Sequence, residues 1–164
     1  MEKQKKKWEN KYMKEADDAV EINARYKYTT GGPFGAVIVK NGEIIAKACN
    51  SVISSNDPTA HAEINAIRKA CQILKTSDLS ECEVYTTCYP CPMCLSAIIW
   101  ANIKKIYYGN TKEDAKDIGF RDDYIYEILK NPEDNTSLNL VQLDRENTID
   151  RFTEFKVSEE KIVY

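Results

Sequence analysis

Histidine is nearly missing from this chain: His61 is the single one among 164 residues, so any imidazole chemistry rests there. No apolar run approaches the ~20 residues that a membrane helix requires, which excludes a membrane-spanning helix as its organising element. Positive charge is not in excess either. Lys and Arg number 23 against 26 Asp and Glu, a net charge of −3, so bulk attraction to nucleic acid is not expected. Glycine and proline are sparse, at six and five residues, and there is no internal repeat or composition-biased linker. The opening MEKQKKKWENKY is basic but lacks the apolar core of a secretory signal, so a cytoplasmic location is expected. What is present is an ordinary globular composition, 43% hydrophobic and 30% charged, in a length that suits one domain over residues 1–164.

Cysteine says more than the rest of the composition. Of six, Cys88, Cys91 and Cys94 fall within seven positions, whereas Cys49, Cys71 and Cys82 are scattered. Regular pairs in a secreted chain would indicate a disulfide framework; a cluster in a chain without a signal points instead to metal in a reducing compartment. Charge is also unevenly placed. Residues 1–15 carry six Lys against three Glu, and residues 111–164 carry eight Lys and Arg against fourteen Asp and Glu.

Periodicity predicts a first helix from about Trp8 to Tyr26, with Tyr12, Ala16, Ala19, Val20 and Ala24 on one face and Asn23 as an imperfect member. Gly31-Gly32-Pro33 stops it. The runs Gly35–Val39 and Glu43–Ala46 flank Asn41-Gly42, a strong hairpin signal. Asp57-Pro58 resembles an N-cap followed by a first-turn proline, predicting a helix to about Leu74. Glu83–Thr87 is expected as a strand, Pro90–Ala101 as a helix and Lys105–Tyr108 as a strand. Leu138–Leu143 is a further strand candidate and Ile149–Lys156 a short helix. The order implies an α/β fold with one mixed sheet and helices packed on it.

Two segments carry chemistry, His61-Ala62-Glu63 and Pro90-Cys91-Pro92-Met93-Cys94. Cys91 and Cys94, three apart in a first helical turn, put both sulfurs on one face. One imidazole and two thiolates make three strong zinc ligands and leave a fourth tetrahedral position open, as in catalytic sites. His61 and Glu63 stand about 200° apart around a helix. They share a site only beyond the helix end, where two helix N-termini would converge and favour thiolates. Glu63 is then free to carry protons. Other readings of these residues stay open: a buried structural histidine, a redox CxxC pair, an iron–sulfur run lacking its fourth Cys at Ile98, or a closed structural cage completed by Cys88.

Taken together, H-x-E and P-C-x-x-C are the mark of zinc-dependent nucleobase deaminases. On Asn56–Glu63 and Pro90–Cys94 the chain resembles the cytidine-deaminase-like superfamily. Within it, Gly31–Val37, Gly119-Phe120-x-Asp122 and the final Tyr164 resemble the guanine deaminases of bacteria. Tyr89 departs from the superfamily, which usually has Glu before Pro-Cys, and Arg121 is a smaller departure.

The resemblance implies a three-layer α/β/α fold around a five-stranded mixed sheet, with helices on both faces. It implies one Zn²⁺ per chain on His61, Cys91 and Cys94, with Glu63 as the proton carrier and Asp122 as a second catalytic acid near the departing amino group. Phe34 would stack on the base, Asn50 would hydrogen-bond its edge, and Ala62, Trp100 and Tyr164 would complete the substrate site as contact, wall and lid. It further implies a homodimer in which a segment of about residues 145–164 crosses to the neighbour. The expected reaction is guanine to xanthine and ammonia in purine catabolism, with a small purine base as partner and no membrane or nucleic acid. The rivals are a tRNA adenosine deaminase, a deaminase of another small ring such as cytosine, and a zinc-stabilised binding module without catalysis. Each residue also has a plainer reading: Phe34 and Trp100 as packing, Asn50 as a turn residue, Asp122 as part of a solvated acidic face.

Overall fold

The structure is a computed structural model and describes residues 7–133 and 136–164. The chain forms two compact units, one running to Asp123 and the other from Tyr124 to Tyr164. Each is described by itself.

The first unit is built on a four-stranded sheet in the order β2-β1-β3-β4, formed by β1 (Gly35–Lys40), β2 (Glu43–Cys49), β3 (Cys82–Cys88) and β4 (Lys105–Asn110). Asn41 and Gly42 turn the β1–β2 hairpin with φ of 51° and 83°, the left-handed pair that a two-residue hairpin loop requires. β1 pairs antiparallel with both β2 and β3, while β3 and β4 run parallel, Val84 opposite Ile106. The parallel pair needs a long crossover, and helix α5 (Pro92–Trp100) lies within it. Both faces of β1 are buried. Ala36 and Ile38 pack with Ala62, Ala66 and Ala70 of helix α4 (Ala62–Leu74) and with Ile98 of α5. Val37 and Val39 pack on the other face with Ala16 of helix α1 (Lys11–Asp18) and with Tyr85. The small residues of α4 recur every fourth position, so that helix approaches the sheet closely along one stripe.

The predicted helix over 8–26 is two helices. Asn10 caps α1 by accepting from the Tyr12 and Met13 amides at 2.9 and 3.0 Å, and the helix stops at Asp18. A 2.9 Å bond from the Val20 amide to the Asp17 carbonyl, three residues back, tightens the turn before α2 (Glu21–Arg25). After β2 comes a short helix, α3 (Val52–Ser55), ended by Asn56 at φ 50°. Asp57 is not the cap of α4. Its carboxylate accepts from the Thr59 amide and hydroxyl at 2.8 and 2.6 Å, while the Ala60 carbonyl is taken by the Ser51 amide at 2.9 Å, so α4 begins only after His61.

Among the described residues the sheet has four strands, not the five the resemblance implies. Leu138–Leu143, the expected fifth, is without regular structure, and Leu138, Leu140, Val141 and Leu143 are exposed. Alternating apolar residues permit a strand, but a strand exists only where a neighbour satisfies its backbone groups. Past β4, Thr111 and Asp114 form a reciprocal capping box that opens helix α6 (Lys112–Asp117), and helix α7 (Asp122–Lys130) follows across the unit boundary. The second unit contains helix α8 (Arg145–Val157), longer than the predicted 149–156, and no buried residue among those described. No helix among the described residues is long and apolar enough to cross a membrane.

Candidate active site

His61 and Cys91 are the N-cap residues of α4 and α5, and neither side chain caps its own helix. Both turn instead toward each other. Cys91 Sγ lies 3.6 Å and Cys94 Sγ 3.5 Å from His61 Nδ1, and the three donor atoms lie within 4.8 Å of one another. A tetrahedral zinc with ordinary bond lengths sets its sulfur and nitrogen ligands about 3.6 Å apart, so this trio has the spacing a zinc ion demands. Hydrogen bonds from the Cys94 thiol and from His61 hold the Cys91 thiol pKa well below the usual thiol range, while the bond it gives to Cys91 pushes Cys94 up. His61 is raised, chiefly by its bond with Cys91. Pro92 at the first helical position favours a start of α5 directly after Cys91, since its missing N–H costs the helix nothing there.

Glu63, in the first turn of α4, is 5% exposed and belongs to no ligand group. Burial raises its pKa, and Thr86 on β3 donates a 2.9 Å hydrogen bond to Oε1. A carboxylate fixed on one oxygen in a dry site is suited to taking up and returning a proton. Thr86 escaped the sequence reading. Its signal was a hydroxyl at an inward strand position, two residues after the core residue Val84.

Phe34, Asn50, His61, Glu63, Cys91 and Asp122 line one pocket, joined by Phe120, Tyr89 and Cys88. The inner cavity measures about 30 Å³, and an adjoining chamber of about 350 Å³ shares Phe34 and Cys88. Phe34 and Phe120 meet edge to face with centroids 4.7 Å apart, so Phe120 is an aromatic wall to which the sequence reading gave no role. Tyr89 is braced by the edge of Tyr108 at 5.0 Å and by the Lys112 ammonium 4.4 Å from its ring centre. Burial, followed by the nearby Cys91 charge, raises Asp122. Asn50 uses its amide oxygen on the backbone, accepting from Gly32 and Val52 at 3.2 and 3.1 Å, which leaves its NH₂ end for a ligand. Cys88 stands apart from the metal trio. Its thiol donates to the Thr111 carbonyl at 3.6 Å, and burial keeps it protonated with a pKa pushed up to about 11.

Three further expected contacts, Ala62, Trp100 and Tyr164, are not among the residues that line this pocket. The Ala62 methyl is buried in the core, so only its backbone N–H, one of the first-turn amides without an intrahelical acceptor, can serve a ligand. Trp100 ends α5, about 13 Å of helix away from Cys91, and is 70% exposed; it does not line this chain's pocket. Tyr164 lies in the second unit and is 89% exposed.

A buried non-ligand glutamate beside a His/Cys/Cys trio at two convergent helix N-termini defines a class of hydrolytic site. The chain belongs to the cytidine and deoxycytidylate deaminase zinc-binding family, whose pattern matches residues 6–110. The guanine deaminase of Bacillus subtilis is 51% identical over 113 residues, covering 69% of this chain and 72% of that protein. The crystal structure of guanine deaminase from Bacillus subtilis superposes with a TM-score of 0.89 at 40% identity, covering 96% of this chain and 99% of that one. The tRNA-specific adenosine deaminase of Aquifex aeolicus is 52% identical over 77 residues, 47% of this chain and 51% of that protein.

Proposed function

We propose that this enzyme hydrolyses guanine to xanthine and ammonia, with one zinc per chain held by His61, Cys91 and Cys94. The observation that carries the reading is Glu63, buried and outside the ligand set, facing an aromatic pocket with Asn50 and Asp122. When bound, zinc supplies Lewis-acid activation of water near neutral pH. The protein's own groups do the rest. Glu63 takes the proton of the attacking water, delivers it to the ring nitrogen beside the amino-bearing carbon, and takes up the second water proton for the departing nitrogen. The carbon–nitrogen bond then breaks and ammonia leaves. Thr86 fixes which oxygen of Glu63 faces the reaction.

Phe34 and Phe120 offer ring faces and edges to a purine, and the NH₂ of Asn50 donates to an acceptor on its rim. The inner cavity of about 30 Å³ holds little more than a water, while the adjoining chamber of about 350 Å³ reaches the size of a small-ligand site. Asp122 stands where the amino group departs.

The protein further acts as a cytoplasmic homodimer in purine catabolism, with the C-terminal segment of one copy closing the site of the other. Two features support this. Tyr28, Val52, Ile53 and Pro58 form an apolar mouth beside His61, and Ile162, Val163 and Tyr164 end the chain with exposed apolar side chains. The experiment is direct: incubate the purified zinc protein with guanine, cytosine, adenine and a tRNA anticodon stem and measure ammonia. Release from guanine alone is expected; release from the tRNA stem alone overturns the reading.

A further inference from the structure

Asn23 is a polar side chain in a place where the first helical segment offers an apolar one, and it is 2% exposed. Its Nδ2 donates to the Asn50 carbonyl at 2.8 Å and to the Gly32 carbonyl at 3.0 Å. Its Oδ1 accepts from the Thr30 hydroxyl at 2.9 Å. Two carbonyl acceptors on one side and a hydroxyl donor on the other fix which end is the amide nitrogen. Both of its N–H bonds therefore go to the backbone of the segments that carry the substrate-facing side chains. One is Asn50 itself; the other is the Gly31–Phe34 turn.

Those two segments are already interlocked. The Gly32 and Val52 amides donate to Asn50 Oδ1, and the Asn50 amide donates to the Phe34 carbonyl at 3.0 Å. Gly31 passes so close that a side-chain carbon there would stand 2.3 Å from the Asn50 carbonyl oxygen. Asn23 closes this network from the buried side. Without it, the Asn50 and Gly32 carbonyls lose a buried donor, and the turn is free to shift relative to Asn50.

We propose that Asn23 is a positioning residue for base recognition, setting the place of Asn50 and Phe34 without touching substrate; this rests on the guanine reading of the pocket. A misplacement of about 1 Å at a recognition contact costs on the order of 10²-fold. The metal trio and Glu63 lie on α4 and α5, to which Asn23 makes no hydrogen bond, so zinc binding and proton transfer are outside its influence.

The test uses Asn23→Asp, which keeps the shape but turns both donors into acceptors facing carbonyls, in the full-length zinc protein. We expect stoichiometric zinc, KM for guanine raised about 10-fold or more, and kcat within about threefold. In an Asn50→Ala background the same substitution adds little, because Asn23 acts through Asn50. Hydrogen exchange provides a readout independent of substrate: the Gly32 and Val52 amides exchange at least about tenfold faster while the α4 amides do not change. If Asn23→Asp does not fold, Asn23→Ser, which retains one donor, is expected to show the same pattern more weakly. Additive effects with Asn50→Ala, a fall in kcat at constant KM, or exchange accelerated equally throughout α4 overturns the inference. If the wild type does not turn over guanine, the proposed function fails by itself. Exchange at Gly32 and Val52 then still decides whether Asn23 holds this wall of the pocket.

Discussion

The two units differ in what their apolar residues do. In the first, Ile38, Val84 and Ile98 are wholly buried between a sheet and its helices, and the site hangs from the ends of those same elements. In the second, Phe152, Phe155, Val157 and Ile162 are exposed, and none of the described residues from Tyr124 onward is buried. The first unit satisfies its own hydrophobic requirement. The second leaves its apolar residues exposed among those described, as the proposed exchange of this segment requires.

The largest expected effect tests where the chemistry lies. Glu63→Gln keeps the shape, zinc content and melting behaviour of the first unit but removes the proton carrier, and deamination should fall about 10⁴-fold. Near-normal turnover would place the proton path elsewhere. The metal set comes next. His61→Ala, Cys91→Ala or Cys94→Ala should purify without stoichiometric zinc, whereas Cys88→Ala should retain it, as metal analysis will read directly. Zinc lost from Cys88→Ala alone would turn the open site into a closed cage.

The second unit is tested by removing residues 162–164. Zinc and the first unit's melting transition should be unaffected, while guanine deamination falls about 10²-fold. Mixing this truncated chain with Glu63→Gln should return part of the activity if tails are exchanged. Heterodimers that form without rescue would put the tail over its own chain or over no site. Stability draws the contrast in another way: Ile38→Ala should cost about 2–5 kcal/mol by chemical denaturation, and Phe152→Ala about 0.5 kcal/mol or less.

The smallest effect is in acid. Bonds from the Thr59 hydroxyl and amide hold Asp57 below its usual 3.8. The unfolded chain therefore binds the proton more readily, so this contribution is full above that value and is lost as pH falls through the lowered folded one. The melting difference between wild type and Asp57→Asn should be small at neutral pH and vanish in strong acid.

Much of the site could be read in the chain because its parts are local. Cys91 and Cys94 share a turn, His61 and Glu63 share a helix start, and Asn41-Gly42 carries its own turn geometry. Thr86 could not be read this way: it reaches Glu63 from a strand remote in sequence, and nothing in its neighbours announces a role. Tyr89 and Phe120 stand beside motif residues, but only the fold shows that their rings line the pocket. Asp57 and Asn23 misled for different reasons. Asp57 has the composition of a cap but spends its carboxylate on the Thr59 amide and hydroxyl two residues on, whereas Asn23 breaks an apolar face and is committed to the Asn50 carbonyl, a partner that only the folded chain brings within reach.

By itself the sequence determined the His/Cys/Cys donor set, the hairpin and the mixed sheet, because hydrophobic period, turn residues and ligand chemistry are properties of short stretches. Tertiary structure alone decided the number of strands, the late start of α4, the orientation of Asn50 and the company Glu63 keeps. Those depend on which backbone groups find partners across the fold. A donor or acceptor has no preference for a partner near in sequence over one brought near in space.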